Sequence, residues 1–299
     1  MTKTHSLLRS ILYVPGANAR ALEKSDGLRA DGIIYDLEDA VAPEAKGSSR
    51  EKLREHLAAS QFPGLKIVRV NPIETREGTE DILMARGAGI DAVLLPKVED
   101  ADMLEDAARA LNEMDAPPSL RIWAMIETPR GIARAEKIAR KGVRGRLSAF
   151  VVGTNDIRLA TNIQPDANRT ELLPWLMQIV LAAKANGLDV LDGVFGDLRD
   201  AEGLRRECAA GRRMGFDGKT VIHPSQIDPA NSIFGPSEAE IGEAEAIVAA
   251  FGRPDNAGRG VIQVDGRMIE RLHLTQARRV LSRRDEIAAR SAETSSKDA

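Results

Sequence analysis

Short runs of contiguous apolar residues, many of them β-branched, recur along the chain, and each gives way to polar residues at its end. They are ILYVP (11–15), GIIYDLED (32–39), KIVRVN (66–71), DAVLLPK (91–97), RIWAMIE (121–127), AFVVGTND (149–156), DVLDGVF (189–195) and KTVIHP (219–224). Continuous rather than alternating apolar character marks strands buried on both faces, as in a parallel sheet covered by helices. Between the runs lie segments such as EDADMLEDAARALNEM and AEGLRRECAAGRRMG, with apolar residues at helical spacing and charges on the opposite face. Alternation of this kind, repeated eight times, predicts an α/β fold: a (β/α)8 TIM barrel over residues 1–234, with an open doubly wound sheet as the alternative.

From residue 235 the pattern changes. Ser237 followed by Glu240 is a capping box that predicts a helix to Phe251. VIQV, Asp265–Gly266 and RMIE then predict a small hairpin, and LTQARRVLSRRDEIAAR a basic amphipathic helix, with the tail SAETSSKDA expected to be disordered. A helical and hairpin extension of this size (235–299) is expected to lack a core of its own and to pack on the barrel or on a neighbouring subunit.

Composition narrows the picture by exclusion. With 299 residues, 43% hydrophobic and 29% charged, the chain has the profile of an ordinary globular protein. A net charge of −3 and a pI near 5.9 create no field that would draw nucleic acid or an anionic membrane, so neither is an expected partner. The single cysteine, Cys208, rules out an internal disulfide or a cysteine-based zinc site. No run approaches the roughly 18 apolar residues of a membrane span, and the start lacks a signal-type apolar region. A cytoplasmic location is the expectation.

In a barrel, residues at the C-terminal ends of the strands converge on one face. Here they are Asp36, Glu38, Asp39, Arg69, Asn71, Lys97, Glu127, Asp156, Asp192 and His223. Glu127 and Asp156 end consecutive strands, and two carboxylates completed by waters and substrate oxygens suit Mg²⁺; the alternative is a pair of helix caps or salt-bridge partners. Arg69 lies in an otherwise apolar strand, where its guanidinium needs an anion, either a ligand or an acid of the DLED segment. Lys97 reads as a supporting group, and His223, followed by Pro224, as a structural one. No phosphate loop, dinucleotide fingerprint or serine-hydrolase elbow is present: position 213, where a phosphate loop ending in Lys219–Thr220 would need glycine, is Arg213.

Seven strings, LYVPG (12–16), YDLEDAV (35–41), VRVNP (68–72), LLPK (94–97), IETPRG (126–131), GTNDI (153–157) and GFDGKTVIHPSQI (215–227), occur in order along the barrel. Together they resemble the citrate lyase β-subunit-like family of the HpcH/HpaI aldolase superfamily, which includes malyl-CoA and citramalyl-CoA lyases. The resemblance implies Mg²⁺ held by Glu127 and Asp156, with Glu38 and Asp39 supporting the metal through waters. It implies that Arg69 stabilises enolate charge, and it points to Arg20 and Lys24 as coenzyme A phosphate contacts, alongside Asn71 and Lys97 near the substrate. It further implies a homotrimer in which a C-terminal acidic residue enters a neighbour's site. That position is Glu270 here, in GRMIE, where the family carries aspartate.

The implied activity is Mg²⁺-dependent carbon–carbon cleavage or formation of a 3-hydroxyacyl-CoA from an acyl-CoA and a 2-oxo acid. Hydrolysis of the thioester on the same site, a carrier-dependent citrate lyase β subunit, a CoA-independent aldolase and a non-catalytic binding role are the competing readings. Products, a co-purifying carrier and binding of magnesium or thioester distinguish them.

Overall fold

The computed structural model describes residues 7–297. All eight apolar runs contain strands: β1 (Ser10–Pro15), β2 (Gly32–Asp36), β3 (Leu65–Arg69), β4 (Ala92–Leu95), β5 (Arg121–Ile126), β6 (Leu147–Val152), β7 (Asp189–Asp192) and β8 (Gly218–Val221). They pair in parallel in chain order, and β8 returns to β1 to close a (β/α)8 TIM barrel. The connecting helices are α1 (Ala19–Ser25), α2 (Lys46–Ala59), α3 (Arg76–Ala85), α4 (Ala101–Glu113), α5 (Pro129–Ala133), α6 (Ala135–Gly142), α7 (Thr154–Thr161), α8 (Leu173–Ala185) and α9 (Ala201–Met214).

The period of two along each strand sorts the side chains. Ile11, Ile34, Ile67, Leu94, Trp123, Val151 and Leu191 point inward and fill the barrel. Their neighbours Leu12, Ile33, Val68, Val93, Phe150 and Val190 are just as buried on the outer face. Both faces are therefore apolar, and the strands read as unbroken runs. Closure demands a glycine at the seam: a Cβ on Gly218 would fall 1.6 Å from the Leu8 carbonyl oxygen.

Compact packing divides the chain into a barrel unit, Leu8–Ala230, and a second unit from Asn231 onward that also takes Leu7. Helix α10 (Ile227–Phe234) spans the division. In the second unit α11 (Glu238–Phe251) opens on the Ser237–Glu240 capping box. Strands β9 (Val261–Val264) and β10 (Arg267–Glu270) form the antiparallel hairpin. Asp265 and Gly266 both have positive φ, 50° and 78°, as the tight turn between them requires. Helix α12 (Arg271–Lys297) follows.

Two expectations fail here. This unit has a small core of its own, built from Ala244, Ile247, Ala250, Ile262, Ile269, Leu274 and Ala277. Ile262 and Val264 on one hairpin strand and Ile269 on the other suffice, because the helices on either side of the hairpin supply the rest. The tail expected to be disordered is helical as far as Lys297, continuing α12, and its last two residues lie outside the described part. Polar composition argued against a packed core there, but a long helix carries polar residues without one.

Candidate active site

Register brings the first charges together. Asp36, the last residue of β2, is the direct neighbour of Arg69, the last residue of β3. The guanidinium forks onto the carboxylate, Nε donating to Oδ1 at 2.8 Å and Nη2 to Oδ2 at 2.5 Å. Its remaining nitrogen, Nη1, lies 3.0 Å from Glu38 Oε2 and 3.4 Å from Asp39 Oδ2. Glu38 Oε2 makes no hydrogen bond, so this approach is charge proximity off the N–H axis. Beneath the guanidinium is the ring of Tyr13, 5.4 Å from ring centre to Cζ. Burial alone would pull the Arg69 pKa down, yet the Asp36 hydrogen bonds and charge push it up, and the cation is permanent.

Glu38 is buried, and burial followed by the Asp39 charge raises its pKa against the opposing pull of Arg69 and Lys97. Lys97 reaches it with Nζ 3.1 Å from Oε1. The Lys97 backbone adopts a left-handed conformation, φ 49°, that is unfavourable for a residue with a Cβ. Its reward is an amide aimed at the next acid: Lys97 N–H donates to Glu127 Oε1 at 2.7 Å.

Glu127 follows β5 directly and is 1% exposed. Its other oxygen, Oε2, is buried without a partner. Burial, then the charge of Asp156, pushes the carboxyl up to about 8. Gly153 makes room for it, since a Cβ there would sit 2.4 Å from Oε2. Asp156 lies in the first turn of α7, just beyond β6, half-buried and lining the cavity at the barrel mouth.

Neither acid is a helix cap. Thr128 caps α5 by accepting the Gly131 N–H at 3.0 Å, and α7 starts at Gly153 with no side-chain cap. No ion pair among the described residues involves either carboxylate. Across the mouth Asp36, Glu38, Asp39, Glu127 and Asp156 outnumber Arg69 and Lys97. An unpartnered buried carboxylate oxygen beside a second carboxylate, in an excess of negative charge, fits a hard divalent cation. Among the described residues no group of three or more acidic, histidine or cysteine side chains is arranged to hold a metal. Two protein carboxylates would therefore hold the ion and leave most of its coordination sphere to water and ligand oxygens, the arrangement Mg²⁺ favours.

The cavity at the mouth measures about 330 Å³ and is lined by Tyr13, Asp39, Arg69, Met125, Asp156 and Thr220 among others, whereas Glu38, Lys97 and Glu127 are not part of its lining. That volume suits a small acyl group and not a whole nucleotide thioester.

The other expected residues are placed differently. Asn71 does not line the cavity: its amide nitrogen donates to Leu37 O (2.9 Å) and Asp81 Oδ2 (2.7 Å), and its oxygen accepts from Lys46 Nζ (2.7 Å). Lys46 also donates to the carbonyls of Leu37 and Glu38 at 2.8 and 2.6 Å. The pair clamps the loop that carries Glu38 and Asp39. Arg20 and Lys24 are exposed on α1, outside the cavity lining. His223 is exposed and bonded locally to Ser225, 2.8 Å from Nδ1 to Oγ. Asp192 is buried below the mouth, held by Arg169 at 2.8 and 2.9 Å and by Lys219 at 3.3 Å. Glu270 belongs to the second unit, at the end of β10, its N–H donating to His273 Nδ1 at 2.9 Å.

Sequence reasoning missed Tyr13, Met125, Gly153 and Thr220. Strand parity was the available signal for the first two: Tyr13 is two residues from Ile11, and Met125 is two from Trp123.

Residues 9–224 match the HpcH/HpaI aldolase/citrate lyase family. A (3S)-malyl-CoA thioesterase from Cereibacter sphaeroides is 45% identical over 284 residues, 94% of this chain and 96% of the relative. A citrate lyase subunit beta from Escherichia coli is 34% identical over 283 residues, 92% of each chain. The crystal structure of the protein CitE from Mycobacterium tuberculosis, in complex with magnesium, acetoacetate and coenzyme A, superimposes with a TM-score of 0.71 at 27% identity, covering 92% of this chain and 97% of that one. The chain belongs to the HpcH/HpaI aldolase/citrate lyase family.

Proposed function

We propose that this protein is a Mg²⁺-dependent enzyme acting on a malyl-CoA-type thioester, with hydrolysis to the hydroxy acid and free coenzyme A as its net reaction. The observation that carries the metal and the substrate class together is the buried, unpartnered Glu127 Oε2 close to Asp156, which shares with the Arg69 guanidinium the lining of a cavity sized for a short acyl group. The choice of hydrolysis rests on likeness: the malyl-CoA thioesterases are 44–45% identical over 284 residues, against 34% for citrate lyase β subunits.

Bound magnesium would act as a Lewis acid on the hydroxyl and carboxylate oxygens of the malyl group. The chain's own residues do the rest. Arg69, fixed by Asp36, presents positive charge where the thioester oxygen gains negative charge as water adds to the carbonyl carbon. Asp39, half-exposed at the cavity wall, is placed to orient that water and accept its proton. The C–S bond then breaks, and the departing sulfur takes up a proton as coenzyme A.

Carbon–carbon cleavage to an acyl-CoA and a 2-oxo acid is the second reading. The Arg69 charge favours it too, since an enolate places the same charge on the same oxygen. On either reading Arg20 and Lys24 are the proposed phosphate contacts outside the cavity, Glu270 acts within a homotrimer, and the protein works in the cytoplasm. No described helix is long and apolar enough to cross a membrane.

The test is a panel of 3-hydroxyacyl-CoA substrates with and without Mg²⁺, resolving free CoA, acyl-CoA and oxo acid by mass. Free CoA with malate from malyl-CoA is the expected result. Acyl-CoA with oxo acid selects the lyase, and no magnesium-dependent turnover overturns both. Arg69→Lys retains the charge but loses the fork onto Asp36, and turnover should fall roughly 100-fold or more with the fold retained.

A further inference from the structure

Tyr13 lies on the inward face of β1, packs on the barrel's inner core and lines the cavity between Arg69 and Asp156. Among the described residues its hydroxyl meets only the Met125 thioether sulfur, at 3.9 Å, a weak acceptor at the edge of range. A phenylalanine would fill the same space and stack on the same guanidinium without a poorly satisfied hydroxyl, so packing does not account for the oxygen.

Arg69 explains what the hydroxyl could add. Its Nε and Nη2 are bonded to Asp36, and Nη1 faces Glu38 and Asp39. The guanidinium is rigid and permanently charged, but carboxylates already occupy most of its N–H directions and offset its charge. A reacting oxygen over the Tyr13 ring edge needs a second donor, and the phenol, next to the guanidinium, offers a neutral O–H there; of the other hydroxyls in the lining, Thr220 donates to the Asp192 carbonyl at 3.0 Å and Thr154 belongs to α7.

Resting on the thioester reading above, we infer that Tyr13 donates a hydrogen bond to the thioester oxygen of the substrate, forming with Arg69 a two-donor oxyanion site. Tyr13 keeps its proton throughout. Burial, outweighing the pull of Arg69 and reinforced by the surrounding carboxylates, holds the phenol well above its ordinary range, which suits a donor and not a base.

The experiment compares wild-type and Tyr13→Phe enzyme, both loaded with Mg²⁺, on malyl-CoA. A single lost donor should lower kcat roughly 10- to 100-fold and raise KM severalfold, with magnesium affinity and the melting curve little changed. Two inert analogues then locate the contact. One replaces the thioester sulfur with CH₂ and keeps the carbonyl; the other replaces the carbonyl with CH₂. The inference expects the first to bind the variant more weakly than the wild type and the second to bind both equally.

A variant kcat within twofold of wild type, or equal discrimination by both analogues, overturns it. Wild-type enzyme that binds magnesium but does not turn over malyl-CoA fails the functional reading and takes this inference with it. An active wild type matched by Tyr13→Phe sinks the inference alone.

Discussion

Glu127 concentrates the physical tension of the site. A carboxyl at 1% exposure with one unpartnered oxygen avoids ionising, so in the metal-free protein it holds a proton up to about pH 8, against an ordinary 4.5. The folded state therefore binds more protons than the unfolded chain between those values. Stability from this group is complete below about pH 4.5 and is lost as pH rises toward 8, at up to roughly 1.4 kcal/mol per pH unit. In chelator, wild-type stability should fall across this window relative to Glu127→Gln, whose amide does not titrate. Denaturant unfolding at several pH values measures it, and parallel curves for the two proteins would refute it. Magnesium needs the carboxylate, so its binding should release a proton below pH 8 and weaken as pH falls. Calorimetry in buffers of different ionisation heats reads that proton directly.

At the scale of elements, the site depends on how closely strand ends approach. Gly153 begins α7 against Glu127, and a methyl group there would meet both Oε2 at 2.4 Å and Cβ at 2.5 Å. Gly153→Ala should displace Glu127 or the start of α7, lowering stability by about 1–3 kcal/mol and magnesium affinity at least roughly 10-fold. Thermal melts and magnesium titrations of the same preparation check both, and an unchanged affinity would mean the carboxylate is not a ligand. Other elements prepare the remaining groups. The Lys46–Asn71 clamp fixes the loop after β2, and the strained Lys97 backbone turns an N–H toward Glu127. Below the mouth, Lys219 is fully buried between Asp192 and Glu207, while Arg169 spans the same two acids. These ions tie β7 and β8 to α9.

At the scale of the whole molecule, Glu270 carries the prediction about assembly. If it serves a neighbouring subunit, a Glu127→Ala protein and a Glu270→Gln protein, each nearly inactive, should regain activity when co-expressed, because mixed assemblies contain complete sites. Activity of the co-purified mixture, with light scattering to establish oligomeric state, decides the matter. No recovery in a verified mixed oligomer would place Glu270 outside the chemistry or within its own chain's site.

Much of this arrangement was legible in the chain. Unbroken apolar runs ending in acids announced strands buried on both faces, and in a closed barrel their ends converge, which put Arg69, Glu127 and Asp156 among ten candidates without coordinates. The capping box at Ser237 and the Asp265–Gly266 turn were equally local, and both formed as read. Asn71 and Asp192 satisfied the same positional rule yet serve as struts, because their partners, Asp81 and Lys46 for one and Arg169 and Lys219 for the other, lie on separate elements. The sequence by itself determined periodicity, the strands and the acids available at each strand end, since these follow from neighbours along the chain. Only the tertiary structure decided which acids kept an unpartnered oxygen, which glycine made room for Glu127 and which hydroxyls lined the cavity. Those properties depend on contacts of a few ångströms between segments far apart in the chain, and no pattern within one segment encodes them.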